Sequence, residues 1–292
     1  MMMILKLSSI LLILVQKFTF SDQIDNMETE NTNKRSFGKI LFIILTSIIS
    51  LFIIYYSVMS MISPGRKMEE IKKEFGAKSD DKNGVDGQIF KDSAYLMLLK
   101  ERSFLQSRIV MAQTDSIYLT INMADSTANI EISGVVVHKA KMSSITASRI
   151  LLADNLNSIL SMLPTPFTIS KTFATIKKEP VMIKMAPKDT SEYKPDIMPD
   201  TSITEPVNYI LLMNNGIRIY VYQEETVKAN DRMSHLSFDL KDRLRDTWNS
   251  LKSVAALKVP EYHPFIKIRL PRTDAKIIYR AIPKNGQIAV FS

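Results

Sequence analysis

The chain has 292 residues, enough for one or two domains. It contains no cysteine, which excludes disulfides, thiolate zinc sites and thiol catalysis. Its net charge of +8 favours anionic partners such as a membrane surface, nucleic acid or an anionic wall polymer.

Met1–Phe20 holds a short apolar core, Leu11–Val15, flanked by Lys6 and Lys17. It reads as a signal-like stretch, as a poor second membrane helix, or as sequence upstream of a true start at Met27. The last reading is preferred, because residues 27–39 followed by an apolar span give the common shape of a single-pass protein. Residues 1–39 are thus a short tail, and Ile40–Ile62 is a transmembrane helix. Those 23 uncharged residues reach about 35 Å at 1.5 Å per residue, against a bilayer core of about 30 Å. Arg66, Lys67, Lys72, Lys73 and Lys78 outnumber Lys34, Arg35 and Lys39 across the span, which by charge alone argues against an external C-terminus.

Residues 63–114 are expected to form juxtamembrane helices and a linker. Met68–Phe75 reads as a short charged helix and Gly76–Gly87 as linker. Asp92 and Ser93 are caps for a helix to Ala112, with Tyr95, Leu98, Leu99, Leu105 and Ile109 on one face; it reads as a stalk or, preferably, as a helix docked on the domain. From Ser116 the period changes to two. Ser116–Met123, residues 128–132 and Val135–Val137 read as an antiparallel meander. Ser148–Met162 reads as a helix stopped by Pro164 and Pro166, and Lys188–Glu205 as an exposed loop. Val207–Met213 and Ile217–Tyr222 are strands joined by Asn214-Asn215-Gly216, whose residues tolerate positive φ. Leu240, Leu244, Trp248, Leu251 and Ala255 share one helical face. Phe265–Leu270 is a strand, Thr273–Ala281 a helix and Gln287–Phe291 a last strand. In the last helix Ile277, Ile278, Ala281 and Ile282 are expected in the core, and Asp274 favours its first turn.

The segment from Ile268, I-R-L-P-R-T-D-A-K-I-I-Y-R-A-I-P-K-N-G-Q-I-A-V-F, resembles the closing segment of the YkuD-type L,D-transpeptidase domain. The strand pattern from Ile117 to Val137 resembles that domain's opening. The resemblance implies a YkuD-like mixed β-sandwich over residues 115–292, in a mainly β (α+β) chain with one transmembrane helix and a short helical stalk. It also implies a bacterial, single-pass inner-membrane protein with its C-terminal domain in the periplasm, and this is preferred over the charge rule.

Such an enzyme needs a His on one strand and a Ser/Thr-His-Gly-Cys segment after it. Gly216-Ile217-Arg218-Ile219 resembles the strand that delivers the His, and Tyr220 stands in its place. Read back without gaps from Leu270-Pro271, the Cys position falls on Lys267. Read forward from Tyr220, Ser234-His235-Leu236-Ser237 falls at the right distance, with Ser237 for Cys. Neither match restores the enzyme, so no catalytic residue is expected among Tyr220, Ser234, His235, Ser237 and Lys267. The expected function is non-catalytic binding of peptidoglycan or another envelope protein. One alternative is acyl transfer by Ser237 and His235; another is a structural component of an envelope complex with an unrelated fold. His138, His235 and His263 share no ligand spacing, so neither a metal site nor a cofactor is expected. Arg218, Lys267, Arg269, Lys276 and Arg280 lack interleaved aromatics of an RNA-binding kind, so no nucleic-acid partner is expected.

Overall fold

The computed structural model describes residues 33–75, 93–152, 157–178, 205–225 and 229–291. The Met1–Phe20 stretch, the Met27 start, the 76–87 linker and most of the 188–205 loop lie outside them. The chain divides into two compact units, Met1–Ser57 and Val58–Ser292.

In the first unit the described residues belong to a helix, α1 (Asn33–Phe75), which continues into the second. Its Lys39–Phe75 part is long and apolar enough to cross a membrane by length and composition. The sequence reading separates Ile40–Ile62 from Met68–Phe75 at Pro64-Gly65; the structure carries one helix through both. Within the second unit, the reason lies beyond the proline. Ile71 packs with Ile150, Ile159, Met68 and Tyr262, and Ser63 donates to the Pro260 carbonyl (2.5 Å). That burial offsets the hydrogen bond a mid-helix proline removes.

The second unit is α+β, with a nine-stranded mixed sheet in the order β3-β2-β1-β9-β5-β6-β7-β8-β4. The strands are β1 (Ile117–Asn122), β2 (Thr127–Ile132), β3 (Val135–Lys141), β4 (Ser144–Ala147) and β5 (Phe167–Ala174). They continue with β6 (Asn208–Met213), β7 (Arg218–Gln223), β8 (Phe265–Leu270) and β9 (Gln287–Phe291). The β1·β9 and β7·β8 pairs are parallel and the rest antiparallel.

The β1–β3 meander and the β6–β7 hairpin match the alternation and turn residues in the sequence. Gly216 has φ 82, which its position after Asn214-Asn215 requires. Other parts differ. Ser148–Met162 does not start as a helix: Leu151 and Leu152 lie in a turn, and among the described residues of this stretch the helix is Asn157–Met162 (α3). Strand β4 ends just before it, and the Ser148 N–H still donates to the Phe265 carbonyl, so the start of that stretch stays with the sheet. β5 carries no clean alternation because it changes neighbours along its length. Phe167 and Thr168 pair with β9, while Lys171–Ala174 pair with β6 after a register shift. A bulge of this kind lets one strand serve two halves of a sheet.

One core draws on both halves. Leu119, Ile121, Ile130, Ile288 and Val290 share it with Ile219, Val221, Ile266 and Ile268. The helix α2 (Ser93–Ala112) covers the outer face of β1 and β9 through Met111 and Phe104, whose ring lies 5.5 Å from Phe291. The docking face differs from the expected one: Leu98, Leu105 and Ile109 are exposed, and Ser103, Ser107 and Met111 are buried. Small serines let the helix approach closely. Arg108 meets the buried Glu131 carboxylate (3.0 Å), which Thr120 also donates to (2.8 Å). In α5 (Arg272–Ala281), Ala275, Ile278 and Tyr279 enter the core, whereas Ile277 is exposed. The helix presents too narrow a stripe for both isoleucines.

The turn from α5 into β9 has no spare room. A Cβ on Gly286 would lie 2.5 Å from Ile282 Cγ2 and 3.1 Å from the Pro283 carbonyl oxygen. The Gly286 carbonyl also accepts from Ile169, where β5 changes partner. Gly286→Ala is therefore expected to cost about 1–3 kcal/mol through overpacking, read as a lower midpoint in chemical denaturation of the full chain in detergent.

Candidate functional site

Alternation along β7 sends Ile219 and Val221 into the core and Arg218, Tyr220 and Tyr222 to the opposite face. Parallel β8 does the same with Phe265 and Lys267. Its register puts Lys267 directly beside Tyr220. The Lys267 Nζ lies 5.0 Å from the Tyr220 ring centroid and 5.2 Å from that of Phe265. Thus two of the five sequence-derived site residues, Tyr220 and Lys267, come together.

The helix α4 (Ala229–Ala255) crosses this face. It starts well before Leu240, so Ser234, His235 and Ser237 are helical. His235 and Ser237 are two residues apart, and helix positions at that spacing do not face each other. His235 packs on Tyr222 (centroids 4.6 Å apart), with its Nε2 buried and without a hydrogen-bond partner. Ser234 and Ser237 line a separate cleft of about 670 Å³ with Thr172, Phe173, Lys241 and Arg245.

A polar seam joins β7 to α4. The Tyr220 hydroxyl donates to Asp242 Oδ2 (2.9 Å), and Tyr222 donates to Asp239 (2.7 Å). Arg218 pairs with Asp246, and Arg245 with Asp242. Arg245 also lies over the Phe173 ring at 3.6 Å. At the head of the helix, Arg272 meets Asp231 (2.7 Å). Burial pushes the Tyr220 phenol up to about 12, with the Asp242 charge adding to it and Arg218 opposing. Burial also pushes Tyr222 up, reinforced by Asp239. Burial alone would lower the Arg218 guanidinium, but the hydrogen bonds to Asp246 and Tyr220 hold it above its ordinary value. Both tyrosines are neutral donors at physiological pH and cannot act as bases there.

At one end of the seam opens a cleft of about 490 Å³, walled by Arg218, Tyr220, Asp246, Glu261, His263 and Lys267 among others. The last of these that sequence patterns missed is His263. Its Nδ1 lies 3.0 Å from the Gly216 carbonyl oxygen, so that nitrogen carries the proton. Burial, then the neighbouring Arg218 charge, lowers its pKa below the ordinary value. The cleft thus carries two cations, two carboxylates, a neutral imidazole and aromatic faces. Alternation and a parallel register between β7 and β8 are the signal that would have found Arg218. His138 lies elsewhere, 3.2 Å from Asp274, so the three histidines are dispersed. Among the described residues no group of three or more His, Asp or Glu side chains is placed to hold a metal ion.

Comparison with protein-family models, with curated proteins and with solved structures finds no match.

Two predictions follow from the seam. Asp242→Ala strips the acceptor from the buried Tyr220 hydroxyl and a partner from the partly exposed Arg245, and is expected to cost roughly 2–3 kcal/mol, the penalty for a buried donor left unsatisfied. Tyr220→Phe removes one hydroxyl and is expected to cost only about 1 kcal/mol; equal losses in urea melts would contradict this ranking. The pH profile has two arms. The folded state holds the Tyr220 proton up to about 12, whereas an unfolded tyrosine loses it near 10, so stability falls as pH rises from about 10. His263 resists protonation in the fold, so stability also falls as pH drops below about 6.5, where the unfolded chain takes up that proton. Denaturation across pH should show a flattened acid arm in His263→Gln.

Proposed function

We propose that this protein is a membrane-anchored, non-catalytic binding module of YkuD-like fold, a mixed β-sandwich over residues 115–292. On this reading α1 anchors it in the inner membrane of a bacterium, and the domain binds peptidoglycan in the periplasm. The observation that carries the reading is the pairing of Tyr220 with Lys267 across β7 and β8. The resemblance of the Gly216–Ile219 strand puts Tyr220 at the family's first His, and the ungapped match from Leu270-Pro271 puts Lys267 at its Cys. In this chain both are tied up: Tyr220 donates to Asp242, and Lys267 sits over two aromatic rings. An ammonium held in this way has no lone pair for attack, and a neutral phenol accepts no proton from a nucleophile.

What remains is a cleft with charges of both signs, Arg218 and Lys267 beside Asp246 and Glu261. That mixture suits a short peptide carrying both carboxylates and a free amine, as a peptidoglycan stem does. The reading with Ser237 and His235 as an acyl-transfer pair has no comparable support, since the two side chains diverge on α4.

Co-sedimentation of the detergent-solubilised protein with purified sacculi tests the proposal. The parent chain should pellet with sacculi, and Lys267→Ala and Glu261→Ala should pellet several-fold less. Muropeptides from cells overexpressing the protein should show no new L,D-type cross-links. New cross-links would overturn the non-catalytic reading, and a failure to pellet would overturn peptidoglycan as the ligand.

A further inference from the structure

Helix α4 lies with its charged side inward. Its four acids, Asp231, Asp239, Asp242 and Asp246, are each partnered by Arg272, Tyr222, Tyr220 with Arg245, and Arg218. The two most sheltered of them, Asp231 and Asp242, are buried. The opposite side is apolar. Met233, Leu236, Leu240, Leu244 and Trp248 recur at helical spacing and are 58–68% exposed. The charges that share this exposed side are all basic: Lys241, Arg243 and Lys252.

The stripe extends past the end of the helix. Lys258 N–H bonds the Ser253 carbonyl and Leu257 N–H that of Val254, so Leu257 occupies the position that usually takes glycine. Leu257 has φ 57 and is 77% exposed. A leucine there gains nothing for the fold: it strains the backbone and buries no side chain.

We propose that this face of α4, from Met233 to Leu257, docks on an anionic lipid bilayer, with its axis in the plane of the interface. A helix with leucines and a tryptophan on one side and flanking lysine and arginine is the form that lies at a lipid surface. Anionic headgroups supply the negative charge that the face lacks. A second copy is the poorer occupant, since two such faces would bring like charges together. The chain also carries a helix long and apolar enough to cross a bilayer, so a lipid surface is at hand. The proposal does not depend on what the cleft beside Lys267 binds.

Trp248 is the single tryptophan of the chain and reports on the surface directly. The full-length protein is reconstituted into vesicles of phosphatidylcholine, with or without phosphatidylglycerol, and compared with the protein in detergent. With phosphatidylglycerol present, Trp248 emission should shift to the blue, acrylamide quenching should fall several-fold, and brominated lipid should quench it. Added salt should reverse these changes. Each basic residue near an anionic surface contributes about fivefold to partition, so the combined variant Lys241→Glu, Arg243→Glu, Lys252→Glu should abolish the lipid dependence. A second variant, Leu244→Ser with Leu257→Gly, should weaken docking while its thermal midpoint holds. Equal acrylamide quenching in detergent and in both vesicles would overturn the proposal. So would undiminished docking in either variant, or a protection that survives charge reversal and grows with protein concentration, which would assign the face to a second copy.

Discussion

The fold around the cleft depends on the polar seam between β7 and α4. Arg218, Tyr220 and Tyr222 all leave β7 on its outer face, and each meets an aspartate of α4. Taking a guanidinium and several carboxylates out of water is costly unless each is paired and hydrogen-bonded. The seam meets that condition at Arg218, which donates to Asp246 and toward the Tyr220 hydroxyl. A hydrophobic interface could hold the helix as firmly, but it would not fix which side of the helix faces the sheet. The aspartates do fix it, because each has one partner at one height along β7.

That choice has a cost on the outside. An amphipathic helix that turns its charges inward must turn its apolar residues outward, and α4 exposes Leu240, Leu244 and Trp248 as a result. The sequence shows the stripe but not its direction. Periodicity identifies a face, and the usual inference sends that face to the core. Here three acids spaced to meet β7, and a fourth that meets Arg272 of α5, outweigh it. The same limit applies to α2, where apolar Leu98, Leu105 and Ile109 lie outside while Ser103 and Ser107 lie inside. In both cases the deciding partner sits on another element: β7 for α4, and buried Glu131 for α2.

What was legible was local. The β1–β3 meander and the β6–β7 hairpin rest on alternation with turn residues between, and both appear with their expected pairing. The continuity of α1 through Pro64 was not legible, since it depends on Ile71 and Ser63 finding partners far along the chain. Strand β5 was missed because a strand that pairs with β9 over two residues and with β6 over the rest has no single period. The candidate site divides the same way. Tyr220 and Lys267 were reachable from the sequence through a motif match. Asp246, Glu261 and His263 join them only through the β7·β8 register and the path of α4, which are non-local facts.

The seam also constrains what the cleft can do. Arg218 is a wall of the cleft and an anchor of α4 at once, through Asp246. A ligand carboxylate reaching Arg218 competes with Asp246, whose side chain is the most exposed of the seam acids that pair with arginine. Displacing that one pair leaves α4 held by Asp231, Asp239 and Asp242, which are tied to Arg272, Tyr222 and Tyr220. The cleft end of the helix can therefore exchange a partner while the remainder stays fixed. Replacing Tyr220 or Lys267 would act on the other side of this balance: it would remove the Asp242 bond or the cation from the aromatic faces. Tyr220, through Asp242, is thus part of the support for α4, while Lys267 stays on the sheet over the Tyr220 and Phe265 rings.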